Sequence, residues 1–465
     1  MRKPTFHIQV VGCKVNQAEA DIFGRQLAER GWIPVAEGDA PDLVLIHTCT
    51  VTQRADRDSR RLIQKTHSVH PGAKIIASGC LAELEAKTLS SLPGVAAVLG
   101  QADRYRLAEL AAQSLRKNPR ASAPEGTAGR GEDLQDCIVE GGSPGLQSGG
   151  SLHWQGGSSA TTDVREPGFF PGPISWRRSQ NRSRAWLKIQ DGCAGACTYC
   201  RVHLARGKPV SRPMDDIKAE AQACLAQGFQ ELVLTGVNVG SWQPGLEKLL
   251  PELAVLPGAF RLRLSSLEPQ YLSSRLIRTW GELGSRLCPH LHLALQSADN
   301  GVLQAMGRAY TGESLGQQLD SLRATRPDLI LTADVIAGFP GETARAFERT
   351  CGFLREQGFS RLHVFPFSMR PGTPAADMAG RLQSREITAR ARVLRSLSRE
   401  LTLAHHRRMQ GKPATLLLET ELRAGVWQGT TETFDRGSMN VAGKAGQLMA
   451  GTVHSIANGI LHLIP

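Results

Sequence analysis

Cys193, Cys197 and Cys200 stand in the run Asp191-Gly192-Cys193-Ala194-Gly195-Ala196-Cys197-Thr198-Tyr199-Cys200, directly behind the strand-like Ala185-Trp186-Leu187-Lys188-Ile189. Three thiolates so close on one loop can bind three irons of a 4Fe-4S cube, which leaves the fourth iron open to a ligand that is not protein. Zinc is the competing reading. It favours four closed ligands, commonly in two C-x2-C knuckles, and here the fourth would have to be His203 or a distant residue. A disulfide framework fits less well, because 10 cysteines in 465 residues are sparse and Met1 to Val10 runs straight into a strand pattern without an apolar signal region.

A second set is spread along the first hundred residues. Cys13 follows Val10-Val11-Gly12, Cys49 follows Leu43-Val44-Leu45-Ile46-His47-Thr48, and Cys80 follows Lys74-Ile75-Ile76-Ala77-Ser78-Gly79. Each comes just past the carboxyl end of a predicted parallel strand. In an open α/β sheet those ends share the edge at which ligands bind, so the three are expected to meet there and to hold a second 4Fe-4S cluster, again with three protein ligands. The competing reading is three ordinary core cysteines, since thiols bury well. Gly12-Cys13 and Gly79-Cys80 lie in turns rather than mid-strand, which favours the cluster. Cys137, Cys224, Cys288 and Cys351 lack this placement and are read as structural or incidental.

The elements that must position these thiols follow from periodicity. Residues 1–115 alternate short apolar runs (Phe6 to Val11, Leu43 to Ile46, Lys74 to Ala77, Val95 to Leu99) with amphipathic helical stretches, the pattern of a small open parallel sheet. Residues 116–180 are Gly/Ser-rich and aperiodic, and read as a linker. Residues 181–411 hold six βα units, with strands beginning near Ala185, Glu231, Arg261, Leu291, Leu331 and Arg361. That is the order of a partial parallel barrel, whose reactive groups belong at the carboxyl ends of its strands. A long helix with Ile387, Ala391, Leu394, Leu397 and Leu401 on one face closes this region. Residues 412–465 read as a small antiparallel β-barrel.

The formal charge of +12 and pI near 9.4 favour a polyanionic partner, since Lys and Arg displace condensed counterions from phosphates. Arg177, Arg178, Arg182 and Arg184 before the barrel, and Arg206, Lys208 and Arg212 behind the cysteine loop, are candidate phosphate contacts. No segment approaches the roughly 20 apolar residues of a membrane helix. A soluble, cytoplasmic protein without membrane attachment is expected.

Two three-cysteine sets, one on an amino-terminal α/β domain and one on a barrel, followed by a small β-barrel, resemble the radical S-adenosylmethionine (SAM) methylthiotransferase family. Within it, Gly12-Cys13-Lys14-Val15-Asn16-Gln17 and Thr48-Cys49-Thr50-Val51-Thr52 look like the branch acting on N6-threonylcarbamoyladenosine in tRNA. Further matches are Leu234-Thr235-Gly236-Val237-Asn238, Arg263-Leu264-Ser265-Ser266-Leu267-Glu268-Pro269 and Gly338-Phe339-Pro340-Gly341-Glu342-Thr343. The resemblance implies a flavodoxin-like first domain, a partial (β/α)6 radical SAM barrel and a TRAM-like RNA-binding carboxyl-terminal barrel. It implies SAM at the open iron of the Cys193/Cys197/Cys200 cluster, with Thr235, Gly236, Val237 and Asn238 cradling its amino group; a simple strand-to-helix turn is the alternative for those four. Reductive cleavage of SAM, fed by an external low-potential electron donor, would yield a radical that takes hydrogen from C2 of the adenine. Sulfur from the Cys13/Cys49/Cys80 cluster would add there, with a methyl group from another SAM. No further side chain is assigned a catalytic role. Arg201-Val202-His203-Leu204 departs from the usual apolar pair and Pro, and Glu419, Glu421, Glu432 and Asp435 dilute the charge of the tail. Isopentenyladenosine in tRNA or a ribosomal-protein aspartate are the rival targets, and a non-catalytic RNA-binding iron-sulfur or zinc protein is the rival class.

Overall fold

The computed structural model describes residues 2–36, 38–101, 103, 106–116 and 183–465. The expectations placed on Cys137, the 116–180 linker and Arg177, Arg178 and Arg182 therefore lie outside the described residues, Arg116 excepted. Contacts group the described chain into two compact units, the second of which takes Cys13–Arg25 and Val51–Gln53 together with the chain from Ser183 onward.

The first unit is built on five parallel strands: β1 (Thr5–Val10), β2 (Ile33–Pro34), β3 (Leu43–Thr48), β4 (Lys74–Gly79) and β5 (Val95–Leu99), in the order β2-β1-β3-β4-β5. That is one of the doubly wound orders. The four longer strands are those expected, and Ile33–Pro34 adds a short edge. All six residues of β3 are buried, as a central parallel strand covered on both faces requires. The helix Gln53–Val69 turns Asp56, Ser59, Ile63 and Thr66 inward at the three- and four-residue spacing of one helical stripe. Ile63 packs with Val44, Ile46, Ile75, Ala77 and Leu81.

In the second unit the six expected strands are β6 (Ala185–Asp191), β8 (Glu231–Gly236), β9 (Arg261–Leu264), β11 (His290–Gln296), β12 (Ile330–Ala337) and β13 (Arg361–Pro366). With the short β7 (Val210–Ser211) and β10 (Ser266–Leu267) they form two four-stranded sheets, β7-β6-β8-β9 and β10-β11-β12-β13. Side chains alternate between faces along each strand. Leu187, Ile189, Leu232, Leu234, Leu262, Leu291, Leu293, Leu331 and Val335 join helix residues such as Leu249, Leu276, Leu319, Leu354 and Leu394 in one apolar core. The intervening positions face the other way, and they are ionic or polar: Lys188 and Gln190, Glu231 and Thr235, Arg261 and Arg263, His290 and His292, Thr332 and Asp334, Arg361 and His363. The two sheets thus carry an oily layer on one face and a largely ionic or polar one on the other.

The helix Ser384–Met409 buries Ala391, Leu394, Leu397 and Leu401, the expected stripe. Behind it, β14 (Pro413–Arg423), β15 (Val426–Thr431), β16 (Arg436–Asn440), β17 (Leu448–Ala457) and β18 (Ile460–Ile464) close as β14-β15-β16-β18-β17. Closure runs through a parallel pairing of β16 with β18, so the barrel is not wholly antiparallel as expected.

Candidate active site

The C-x3-C-x2-C loop leaves the carboxyl end of β6, where the barrel pattern places reactive groups. Gly192 turns it at φ 70°, and a Cβ there would lie 1.9 Å from the Lys208 carbonyl oxygen, so no other residue fits. Backbone hydrogen bonds then pin the loop on three sides: Cys193 N to Gly207 O at 3.0 Å, Thr198 N to Met306 O at 3.1 Å, and Ala375 N to Thr198 O at 2.8 Å. Each sulfur meets a donor. The Gly195 amide points at Cys193 Sγ (3.2 Å), the Val202 amide at Cys200 Sγ (3.4 Å) and the Arg308 guanidinium at Cys197 Sγ (3.2 Å). Burial pushes the Cys200 thiol up to about 12 and also raises Cys193, and in both cases nearby Cys197 adds to the rise. Three crowded sulfurs, each offered a hydrogen bond, suit thiolates neutralised by a metal cluster, because ligation removes the proton that burial otherwise retains.

Beside this loop, Thr235-Gly236-Val237-Asn238 ends β8. A Cβ on Gly236 would come within 3.0 Å of Gln190 O, so the glycine lets β8 approach β6. The Gln190 amide spans the junction: its Nε2 donates to Asp191 O and Gly192 O at 2.7 Å each, and its Oε1 accepts from Asn238 N at 2.8 Å. The Asn238 side chain reaches Cys193 and donates to the Tyr271 hydroxyl, yet its Oδ1 is buried without a partner. A buried acceptor left open costs about 1–3 kcal/mol. The four residues therefore present an acceptor suited to an ammonium beside the thiols. His203 lies in the helix Val202–Arg206 just behind Cys200, with its Nδ1 likewise buried and unpartnered.

The other three cysteines lie where the strand pattern predicts. The helix Lys14–Glu29 begins immediately after Cys13, which is exposed, while Cys49 and Cys80 are buried. Thr48 pairs with Gly79 in the β3–β4 ladder, so Cys49 and Cys80 leave adjacent strands at one level. Gly79 has φ 100°, and a Cβ on it would strike Thr48 O at 2.3 Å. Thr48 Oγ1 bonds Ser78 O at 2.6 Å and the Ala82 amide at 3.2 Å, which ties the two strand ends together.

Sequence reasoning missed two groups of ion-paired side chains in the second unit. Glu19 accepts from Lys188 Nζ (2.6 Å) and Arg206 (2.7 Å); Asp191 takes Lys188 at 2.7 Å and Arg206 at 3.2 Å, and Arg206 also reaches Asn16 Oδ1 at 2.9 Å. This buried network joins a residue three after Cys13 to one two before Cys193. Lower on the inner face, Asp334 Oδ1 lies 3.1 Å from His292 Nε2 and 3.3 Å from His363 Nδ1. Burial would raise the Asp334 carboxyl, but the two imidazoles hold it well below the usual range. Lys14 enters the same face: its Nζ is 5.8 Å from the Trp186 ring centre and 5.4 Å from that of Phe434. Burial, then Arg263 and Arg184, pulls its ammonium down to about 8 against the opposing pull of Glu231 and Asp334. The signal available in sequence was the i, i+2 spacing of His290/His292, Thr332/Asp334 and Arg361/His363.

Two expected phosphate contacts are corrected. Arg206 is buried in the Glu19 and Asp191 network, and Arg212 is buried against Glu220; a guanidinium committed to a buried carboxylate is not offered to a phosphate. Arg184 pairs with Glu419 and lies 3.7 Å from Glu231. Lys208 alone of the described four is exposed.

Comparison with known proteins gives the following. Residues 5–100 match the family described as Uncharacterized protein family UPF0004, and residues 187–354 match the radical SAM superfamily. The threonylcarbamoyladenosine tRNA methylthiotransferase MtaB of Thermotoga maritima is 31% identical over 458 residues, covering 97% of this chain and 95% of that protein. MtaB of Bacillus subtilis is 30% identical, covering 97% and 93%. A tRNA-2-methylthio-N(6)-dimethylallyladenosine synthase of Sphingopyxis alaskensis is 31% identical, covering 89% and 86%. Among solved structures, the radical SAM methyltransferase TsrM of Kitasatospora setae aligns with a TM-score of 0.56 at 16% identity, over 81% of this chain and 75% of that one, which is a likeness of fold.

Proposed function

The chain belongs to the radical SAM tRNA methylthiotransferase family, and from that premise we propose that it methylthiolates C2 of N6-threonylcarbamoyladenosine next to the anticodon of tRNA. The observation that supports this target most is that two threonylcarbamoyladenosine enzymes, 31% and 30% identical, each match over 97% of the chain. Dimethylallyladenosine synthases of equal identity match over 89% and 95% of the chain, which makes that nucleoside the second reading.

On this reading Cys193, Cys197 and Cys200 hold one 4Fe-4S cluster and Cys13, Cys49 and Cys80 an auxiliary one. When bound, the clusters and SAM supply one-electron chemistry at the adenine C2 and the sulfur placed there. The chain's own work is positional. Gln190 and Gly236 set the distance between the cysteine loop and the Asn238 turn, whose open Oδ1 accepts from the SAM ammonium. Arg308 fixes Cys197, and the Glu19 network fixes the start of the Lys14–Glu29 helix against the cysteine loop. The carboxyl-terminal barrel acts as a TRAM-like RNA contact, and an external low-potential donor supplies electrons.

The test is expression of the gene in a host lacking methylthiolated tRNA nucleosides, followed by mass spectrometry of digested tRNA. Appearance of 2-methylthio-N6-threonylcarbamoyladenosine is expected; methylthio-isopentenyladenosine alone would overturn the assignment. Anaerobic reconstitution should give about eight irons per chain, whereas stoichiometric zinc without sulfide would favour the non-catalytic reading.

A further inference from the structure

Among the described residues, the Lys14 ammonium on the inner region of the sheets has no hydrogen-bond acceptor. Arg263 donates to Glu231 at 2.9 Å and to the carbonyls of Thr431 and Glu432 at 2.9 and 3.0 Å. Arg261 is bonded to Glu231 at 2.7 Å, and Arg184 is paired with Glu419. The Lys14 ammonium has aromatic faces instead, and among the described residues no acceptor lies within hydrogen-bond reach of it. Cation–π contact compensates a desolvated ammonium only in part.

One of those faces is held there under strain. Phe434 has φ 68°, a conformation that an aromatic residue rarely adopts and that persists only where the surroundings over-determine it. Here Phe434 N bonds Thr431 O at 3.1 Å, Asp435 N bonds Thr431 Oγ1 at 3.1 Å, and Thr433 Oγ1 bonds Asp435 Oδ2 at 2.8 Å. The turn thrusts the ring between β15 and β16 toward Lys14, Arg184 and Arg263, whose charged ends lie 5.4, 5.9 and 5.1 Å from its centre. Of the three cations round this strained ring, Arg184 and Arg263 are each committed to a carboxylate, so among the described residues the Lys14 ammonium is the one left open to an anion.

We propose that the Lys14 ammonium receives the carboxylate of the N6-substituent of the target adenosine and so selects an anionic, threonylcarbamoyl-type substrate over an apolar prenyl one. This rests on the function proposed above. Lys14 adjoins Cys13, so the same helix start would register the carboxylate and place the sulfur-bearing cluster. A prenyl group would leave the ammonium unpaired, and a lost charge-assisted hydrogen bond corresponds to roughly 10- to 100-fold in binding.

The test uses the full-length protein with both clusters reconstituted, in wild-type, Lys14→Gln and Lys14→Arg forms. The substrates are anticodon stem-loops bearing threonylcarbamoyladenosine, its carboxylate methyl ester, or isopentenyladenosine. For Lys14→Gln, KM for the carboxylate substrate should rise roughly 10- to 100-fold while the methyl ester is used as by wild type; Lys14→Arg should restore most of the preference. An equal loss on acid and ester, or no loss on either, overturns the proposal. So does the disappearance of about four irons from Lys14→Gln, which would assign the residue to the cluster. Wild type that turns over the isopentenyl stem-loop and ignores the threonylcarbamoyl one overturns the substrate reading itself, and the Lys14 proposal with it.

Discussion

The two ends of the barrel are built to opposite standards. At the carboxyl end, the Gly195 and Val202 amides and the Arg308 guanidinium point at the three sulfurs of the loop after β6, and among the described residues Asn238 Oδ1 has no partner. At the amino end the buried carboxylates are saturated: Glu231 takes Arg261 and Arg263, those guanidiniums run on to the carbonyls of Thr415, Thr430, Thr431 and Glu432, and Asp435 gathers His405, His406 and Arg361. An end that must accept ligands leaves polar groups open and accepts the penalty. An end that joins two barrels saturates its carboxylates, and among the described residues leaves the Lys14 ammonium beside Phe434 as its open cation.

The largest effect should come from the open end. Cys197→Ala removes one thiolate from the barrel loop and leaves Arg308 without the sulfur it donates to. Methylthiolation and SAM cleavage should fall to background while iron drops from about eight to about four per chain. The denaturant midpoint of the unloaded protein should stay close to wild type. Iron remaining near eight would show that this triplet is not the cluster site.

Glu231→Gln strikes the closed end and should reverse that pattern. Burial would raise the Glu231 carboxyl, but Arg263, Arg261 and Arg184 hold it well below the ordinary range. Removing its charge strands buried guanidiniums, which costs about 3–5 kcal/mol when one partner of a buried pair is lost. Urea denaturation should show that loss, with iron per folded chain unchanged. An unaltered midpoint would mean that the backbone carbonyls alone suffice for Arg261 and Arg263.

Asn238→Ala returns to the open end with a smaller change. It deletes the unpaired acceptor and keeps the Gln190 Oε1 bond, which uses the Asn238 backbone amide. KM for SAM should rise about 10-fold, the worth of one charge-assisted bond, with four irons still on the barrel loop. A rise for tRNA instead of SAM would move the cradle elsewhere.

This contrast also explains what the sequence could reveal. The open end was legible because its chemistry is local: Cys193, Cys197 and Cys200 lie within eight residues, and Gly192 marks the turn. Cys49 and Cys80 were legible one step further on, through the rule that parallel strands end on one edge. The closed end depends on register. Glu231 faces Arg261 because β8 and β9 pair at those positions, and Asp334 meets His363 through the β12–β13 ladder. Alternation could say that these residues face inward, but not which carboxylate would meet which cation. For the same reason Arg206 and Arg212 looked like solvent-facing phosphate contacts when they are buried ion pairs.

The smallest expected effect separates the two ends by pH. His290 lies at the closed end, stacked on Phe434 at 5.0 Å with its Nε2 3.0 Å from Thr332 Oγ1. Burial, followed by Arg263, His292 and Lys14, pushes its pKa well below the ordinary 6.5. The folded chain therefore keeps this imidazole neutral while the unfolded chain protonates it near pH 6.5. Below that pH the unfolded state binds the extra proton, so stability from this residue is intact above pH 6.5 and is lost as pH falls through it. Between pH 7 and pH 6 the loss should be about 0.7 kcal/mol, the linkage value for one such histidine. Urea midpoints at the two pH values measure it, and His290→Gln should flatten the difference by that amount. An equal pH dependence in both proteins would show that His290 takes up its proton alike in the folded and unfolded chains, and so is not held neutral by burial at the closed end.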